Sequence, residues 1–494
     1  MALAKNSFFL FVSNIYFQLI GYVATFFLAR YLGVSKAGLA IFGSYVFLIM
    51  VVNMITSIAD MGMSTAFEKE IASETNSKKV VGTYMFYRII AMSLSGVVIV
   101  MLYPYISTLF GISDLFAITL AAIIPVAWTP TRIFARMHIA KGNAMYSQVP
   151  NIIENTLRTI FVAYSAVYIK TLNSLLISYF IASLIVGILS LVLLSNHLKG
   201  ISLDLMVNML KYATPIGMGI VVSYFVQNID NFFVIAFLSS SLLALYNTSK
   251  SFYVMLSIIP SILMSNVFPY FVRHIKNQGN EGLAEKFLQI QRYLFLFLAP
   301  LALIVIVYRV NLLHILYSNR FITVSPEVVV FTLTIFPMSL SYLYSTLFNS
   351  LNKQKLPFYI SALQLAIVSV LAYALITRYG LIGGALAVFL SYVVIVLIYI
   401  TIGYKIINVY PNIKSLYLIL FASIITFFSL SFINRFVAIT RWYNLIGVGI
   451  IGIGIYFVLL ILSREFKKED IEILLGSFGF SSKTIKLIQK IFIV

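Results

Sequence analysis

Seven charged residues stand inside otherwise apolar stretches of this chain, and their types and spacing define the chemistry open to it. Arg88, Arg132, Arg136, Glu154 and Arg158 lie in the first half; Asp230 and Lys250 lie further on. A charge inside a bilayer costs a few kcal/mol even on lenient scales, so each is expected to face a partner or a wet cavity. Arg132 and Arg136 are four residues apart and repel on one helix face, so an anion is expected near them. Glu154 and Arg158 share a face at the same spacing, flanked by Asn151 and Asn155. They read either as a structural ion pair or as a substrate grip in which Glu154 orients Arg158 or carries a coupling proton. Asp230 and Lys250 read either as part of the same basic cavity or as a staple between adjacent helices. Arg136 can snorkel to the interface, and Asp60, near a helix end, suits a structural cap. Arg88 and Arg132 fit substrate contact best. Guanidinium forks match phosphate oxygens at two points and stay charged when desolvated. The expected ligand is therefore an anionic headgroup such as a pyrophosphate, with Arg88, Arg132, Arg158 and Lys250 as cavity residues.

Other chemistries find little support. The chain has no cysteine, so disulfides, thiolate catalysis and Cys-bound metals are excluded. His138, His197, His274 and His314 are scattered without ligand spacing, and no metal or other cofactor is expected. No phosphate-cradling G-x-x-x-x-G-K-[ST] loop appears. The net charge of +19 sits mostly in short loops, which points to topology and anionic lipid rather than nucleic acid.

The elements that must position these residues are membrane spans. Hydrophobic residues make up 61% of the 494, charged residues 10%, and the mean hydropathy is +1.01. A soluble core cannot hide that much apolar surface. Fourteen stretches of about 20 residues or more predict an all-α integral membrane protein. The first, at 8–29, is too long for a signal-peptide core and is read as a retained span; the fifth, at 145–169, carries Glu154 and Arg158. Lys and Arg are denser in the loops on the N-terminal side, which predicts both termini in the cytoplasm. The tail at 464–494 mixes charge with helical apolar spacing and reads as an amphipathic, membrane-surface segment.

A weak internal repeat is visible. Ala29–Gly38, leading into the second span, echoes Ala236–Ala244 before the eighth, about 206 residues on. Ile139–Asn143 echoes Ser350–Gln354, about 211 on. Both offsets correspond to six spans, so the copies are expected to be parallel, with a substrate site between two lobes near the midplane. The expected organisation is an N-lobe at 1–200, a C-lobe at 201–410, two extra spans at 411–463, and the tail.

Phe26–Gly38, Asp60-Met61-Gly62-Met63 and Glu68–Ala72 resemble the opening of the polysaccharide-transport branch of the MOP (multidrug/oligosaccharidyl-lipid/polysaccharide) exporters. Asp230–Val234, Ala244–Lys250, Val267-Phe268-Pro269 and Arg378–Ala387 follow in matching order. The resemblance covers nearly the whole chain. It implies two six-helix lobes with two extra helices, no covalent chemistry, and flipping of a lipid-linked oligosaccharide across the cell membrane by alternating access. Basic cavity residues are shared across the family. The partners implied are a lipid-linked anionic glycan, membrane lipids, and glycosyltransferases or a polymerase of the same pathway. A cation-coupled exporter of drugs or small amphipathic molecules is the alternative. It is disfavoured because residues 8–29 lack the acidic residue that drug exporters often carry there. A membrane glycosyltransferase would want a large extramembrane loop, and no loop before the tail is long enough.

Overall fold

In the computed structural model the described residues are 2–73, 77–411, 413–436, 441–463 and 465. The expected amphipathic tail lies outside them, apart from Glu465. Sixteen α-helices and no strand occur among the described residues: α1 (Ala2–Leu32), α2 (Lys36–Asp60), α3 (Met63–Ala72), α4 (Ser77–Met101), α5 (Tyr103–Phe110), α6 (Leu115–Ala140), α7 (Ala144–Tyr164), α8 (Leu172–Leu194), α9 (Leu203–Phe237), α10 (Ser240–Gln278), α11 (Leu283–Leu316), α12 (Ser325–Ser350), α13 (Lys355–Tyr379), α14 (Leu381–Ile407), α15 (Ile413–Ile433) and α16 (Trp442–Leu462). Among the described residues, thirteen spans are long and apolar enough to cross a membrane. The protein is a multi-pass, all-α membrane protein. Of the fourteen expected spans, the fifth is the one outside that set. It is present as α7, but Asn151, Glu154, Asn155 and Arg158 make it polar.

Local sequence sets the helix ends. Ser35, Asp114 and Thr171 are extended N-cap residues whose side chains accept from the backbone N–H three positions on, opening α2, α6 and α8. The echo at the ends of α6 and α12 is a repeated turn. At the first, the Asn143 N–H donates to the His138 carbonyl at 2.8 Å and Gly142 to Ile139 at 2.9 Å. At the second, Lys353 donates to Phe348 at 2.9 Å and Asn352 to Asn349 at 3.2 Å. Gly142 (φ 75°) and Asn352 (φ 58°) both take the left-handed conformation that closes such a turn. The structural register is thus 210 residues, one fewer than the sequence echo suggests.

The described residues form two compact units. The first comprises Met1–Ser251, Leu316–Glu327 and Lys355–Ser391. The expected lobe boundary at residue 200 falls inside it, since α9 packs on α2, α3 and α4. There the backbones nearly touch: a Cβ on Gly217 would lie 2.1 Å from the Met61 carbonyl oxygen. Within the same unit α7 contacts α1, α6 and α8. A Cβ on Gly187 of α8 would meet the Ala127 carbonyl of α6 at 2.1 Å, the close approach that small residues permit between membrane helices. The second unit comprises Phe252–Ile315, Val328–Gln354 and Tyr392–Val494. Its packing includes Tyr308 of α11 against Leu430 of α15 and Val448 of α16. Arg292 of α11 donates to the Glu465 backbone carbonyl at 3.1 Å.

Candidate functional site

A cavity of about 700 Å³ lies within the first unit. Seven helices form its wall, α1 among them through Gly21, Ala24, Thr25 and Leu28. On α2 the lining residues Phe42, Tyr45, Ile49, Asn53 and Thr56 recur every three or four positions, so one helix face forms the wall. Tyr224, Gln227, Asn228 and Asn231 do the same on α9, Trp128 and Arg132 on α6. Arg158 enters from α7, Tyr179 from α8 and Asn247 from α10. Among the described residues, two arginines are the charged lining residues and no carboxylate lines it.

Both guanidinium groups are held in place by an aromatic ring and by hydrogen bonds. Arg132 lies over the Trp128 ring, 5.1 Å from its centroid, and donates from Nη1 to Asn151 Oδ1 at 2.6 Å. Arg158 lies over the Tyr179 ring at 4.7 Å. It donates to the Tyr179 hydroxyl at 2.8 Å and to Asn155 Oδ1. Aromatic faces attract cations and leave the guanidinium edge free for oxyanions. Asn155 in turn donates to the Asn151 carbonyl at 2.7 Å, so a polar ladder on α7 sets both arginines.

Glu154 stands behind this wall with no exposed surface. It accepts from Ser183 Oγ at 2.9 Å, and its Oε2 lies 3.7 Å from Arg132 Nη2. Its ion-pair partner is therefore Arg132 of α6, not Arg158 one turn along its own helix. Tyr179 draws Arg158 away, which sequence spacing could not show.

Arg88 is placed elsewhere. It is 4% exposed and does not line the cavity. Its Nη1 donates to Asp60 Oδ1 at 2.8 Å and to the Tyr84 hydroxyl at 2.7 Å. Asp60 also accepts from Tyr84 at 2.9 Å and from Ser64 Oγ at 2.8 Å. This knot clamps the α2–α3 turn, where Met61 (φ 42°) and Gly62 (φ 80°) are both left-handed. Arg136 pairs with Glu68 at 2.6 Å. Among the described residues, Arg88, Arg132 and Arg136 thus have a carboxylate within 4 Å, and Arg158 does not.

Asp230 and Lys250 pair across α9 and α10 at 2.7 Å. Tyr246 donates to Asp230 at 2.7 Å, and Lys250 also donates to the Gln227 backbone carbonyl at 2.7 Å. The pair adjoins the cavity through Gln227 and Asn231 without lining it. Two features escaped the sequence reading. Trp128 and Tyr179 as arginine platforms were hidden among many aromatics, although Trp128 precedes Arg132 by one helical turn. In the sequence the amide side chains of the wall look no different from the amides that commonly bond neighbouring membrane helices.

The polysaccharide biosynthesis protein family matches residues 3–274, and the lipid II flippase MurJ family matches residues 174–457. No curated protein matches the sequence. Among solved structures, the chain is similar to the lipid II flippase MurJ in an inward closed conformation. The TM-score is 0.74 at 18% identity, over 92% of this chain and 99% of that one. An inward-facing multidrug resistance MATE transporter of the MOP superfamily gives 0.66 at 12% identity, over 79% and 94%. A MOP superfamily transporter from Pyrococcus furiosus, described as having a binding pocket of reversed polarity, gives 0.57 at 12%, over 82% and 95%. The fold is common to all three. With family matches that together run from residue 3 to residue 457, the chain belongs to the polysaccharide-transport branch of the MOP exporter superfamily.

Proposed function

We propose that the protein is a flippase that carries a polyprenyl- or dolichyl-(pyro)phosphate-linked glycan from the cytoplasmic to the outer leaflet of the cell membrane. One observation carries this reading: Arg132 and Arg158 face a cavity whose wall, among the described residues, holds no carboxylate. Such a wall attracts phosphate and repels the cationic drugs of the alternative reading. Alternating access moves the headgroup through the polar cavity while the lipid tail stays in the bilayer. No bond is made or broken. Both termini are cytoplasmic, and the glycan is supplied by glycosyltransferases or taken up by a polymerase of the same pathway. Arg88 and Lys250 act on the substrate indirectly, by holding the α2–α3 turn and the α9–α10 pair.

The test is a leaflet-resolved assay of labelled lipid-diphosphate glycan in proteoliposomes. Each charge-assisted hydrogen bond to phosphate contributes roughly 1.5–3 kcal/mol. Arg132→Ala and Arg158→Ala are therefore expected to slow flipping by about 10- to 150-fold at normal expression. The corresponding lysine variants should recover part, keeping charge and losing the fork. Wild-type flipping by both alanine variants, or drug-cation transport that both leave intact, overturns the reading.

A further inference from the structure

We infer that the amide side chains on α2, α9 and α10 form a second subsite of this cavity, which reads an uncharged sugar next to the phosphate, bearing hydroxyl or N-acetyl groups. The inference rests on the phosphate reading above and names what lies beyond the phosphate. The subsite is Asn53, Gln227, Asn228, Asn231 and Asn247, all lining the same cavity as the two arginines. Amides in membrane helices commonly bond neighbouring helices, and these do not. Among the described residues, the side chains of Asn53, Gln227 and Asn247 make no hydrogen bond, and Asn228 bonds only within its own helix, to the Tyr224 carbonyl at 2.9 Å. Asn231 is more telling. It is 2% exposed, and its Oδ1 is buried without a partner. A buried acceptor left unpaired is penalised by desolvation, so the site favours a ligand that brings a donor.

Charge narrows the sugar. Each amide offers an acceptor and two donors, a match for hydroxyl and N-acetyl groups. Asp230, next to Asn231 in the chain, and Lys250, which donates to the Gln227 backbone carbonyl, neutralise each other at 2.7 Å. Among the described residues, a uronic acid would thus meet no free cation on these amide-bearing segments, and an unacetylated amino sugar would meet no free carboxylate. Ionic sugars would lose hydration without a partner. The cavity volume, about 700 Å³, lies in the range of pockets that enclose small molecules, roughly 300–1,000 Å³. It suits a phosphate with the first sugars, not a long glycan.

Binding to the full-length protein in nanodiscs is the test. Four short-chain prenyl diphosphate probes are compared: one without sugar, one with an N-acetylhexosamine, one with a hexuronic acid and one with an unacetylated hexosamine. The N-acetylhexosamine probe is expected to bind about tenfold or more tighter than the sugar-free probe, with both ionic sugars gaining less than threefold. Asn231→Leu should reduce the tenfold ratio to threefold or below. Asn53→Leu, at an exposed position, tests the same ratio should Asn231→Leu fail to fold. Asn53→Lys should raise relative affinity for the hexuronic probe. A wild-type protein that binds all four probes alike, or leucine variants that retain the wild-type ratio, overturns the sugar subsite and leaves the phosphate reading standing. Failure to bind any probe, the sugar-free one included, overturns both.

Discussion

Arg88 and Arg158 look alike in the sequence, each an arginine within an apolar helix, and the fold puts them to different uses. Arg88 is neutralised by Asp60 and Tyr84 in a buried knot; Arg158 has aromatic and amide neighbours and faces the cavity. Removing one member of a buried pair leaves the other uncompensated, at a cost of about 3–5 kcal/mol. Arg88→Ala and Asp60→Asn should each lower the thermal midpoint of the purified protein markedly, and Asp60→Leu with Arg88→Met should regain much of the loss. A midpoint unchanged in both single variants would mean that the knot carries no stability. The presence of intramembrane charge was legible from residue types alone. Its pairing was not, because Asp60 and Arg88 are 28 positions apart, and only packing of α2 on α4 joins them. The same limit hid the Arg132–Glu154 pair.

At the scale of elements, the helices were legible because apolar runs bounded by caps leave few alternatives in a bilayer. α7 was legible as well, despite its polarity, because its charged and amide residues repeat at helical spacing. Why it can be polar emerges only from its neighbours: it contacts α1, α6 and α8, so its polar groups have partners. The repeated turn after α6 and α12 offers a test of the left-handed position. Gly142 has φ 75°, and a side chain there costs roughly 1–2 kcal/mol. Gly142→Val should therefore lower the melting temperature, whereas Asn352→Gly, at φ 58°, should leave it equal or higher. Equal losses from both substitutions would mean that the two turns are not alike. Tight helix contacts were not legible. Gly217 reads as one glycine among 25, yet a Cβ there would lie 2.1 Å from the Met61 carbonyl oxygen. Gly217→Leu should destabilise by about 1–3 kcal/mol or more, measured as reduced folded yield and melting temperature; a wild-type melting curve would show that α9 can move aside without penalty.

For the whole molecule, hydropathy decided the solvent and the loop bias in Lys and Arg predicts the sidedness. The cysteine-free chain makes the second readily measurable. Ser113→Cys, between α5 and α6, should react with an impermeant thiol reagent only from outside. Asn280→Cys, between α10 and α11, should react only from the cytoplasm, and the opposite pattern would invert the topology. The cavity wall described above also has a consequence for acidity. Among the described residues its lining contains no histidine, lysine, aspartate or glutamate, the groups that ordinarily titrate between mildly acidic and mildly alkaline conditions or lie nearest that window. Arginine keeps its charge throughout. The lining side chains therefore keep their charge over that range, and the carboxylates nearest them are each held against a cation, Glu154 behind Arg132 and Asp230 against Lys250. A phosphate monoester gains its second charge near pH 6 and should bind more tightly as pH rises through that value, while a diphosphate esterified at both ends should bind with a flat profile. A simple pH series thus becomes a reading of how lipid and sugar are joined, made through a wall that does not itself titrate.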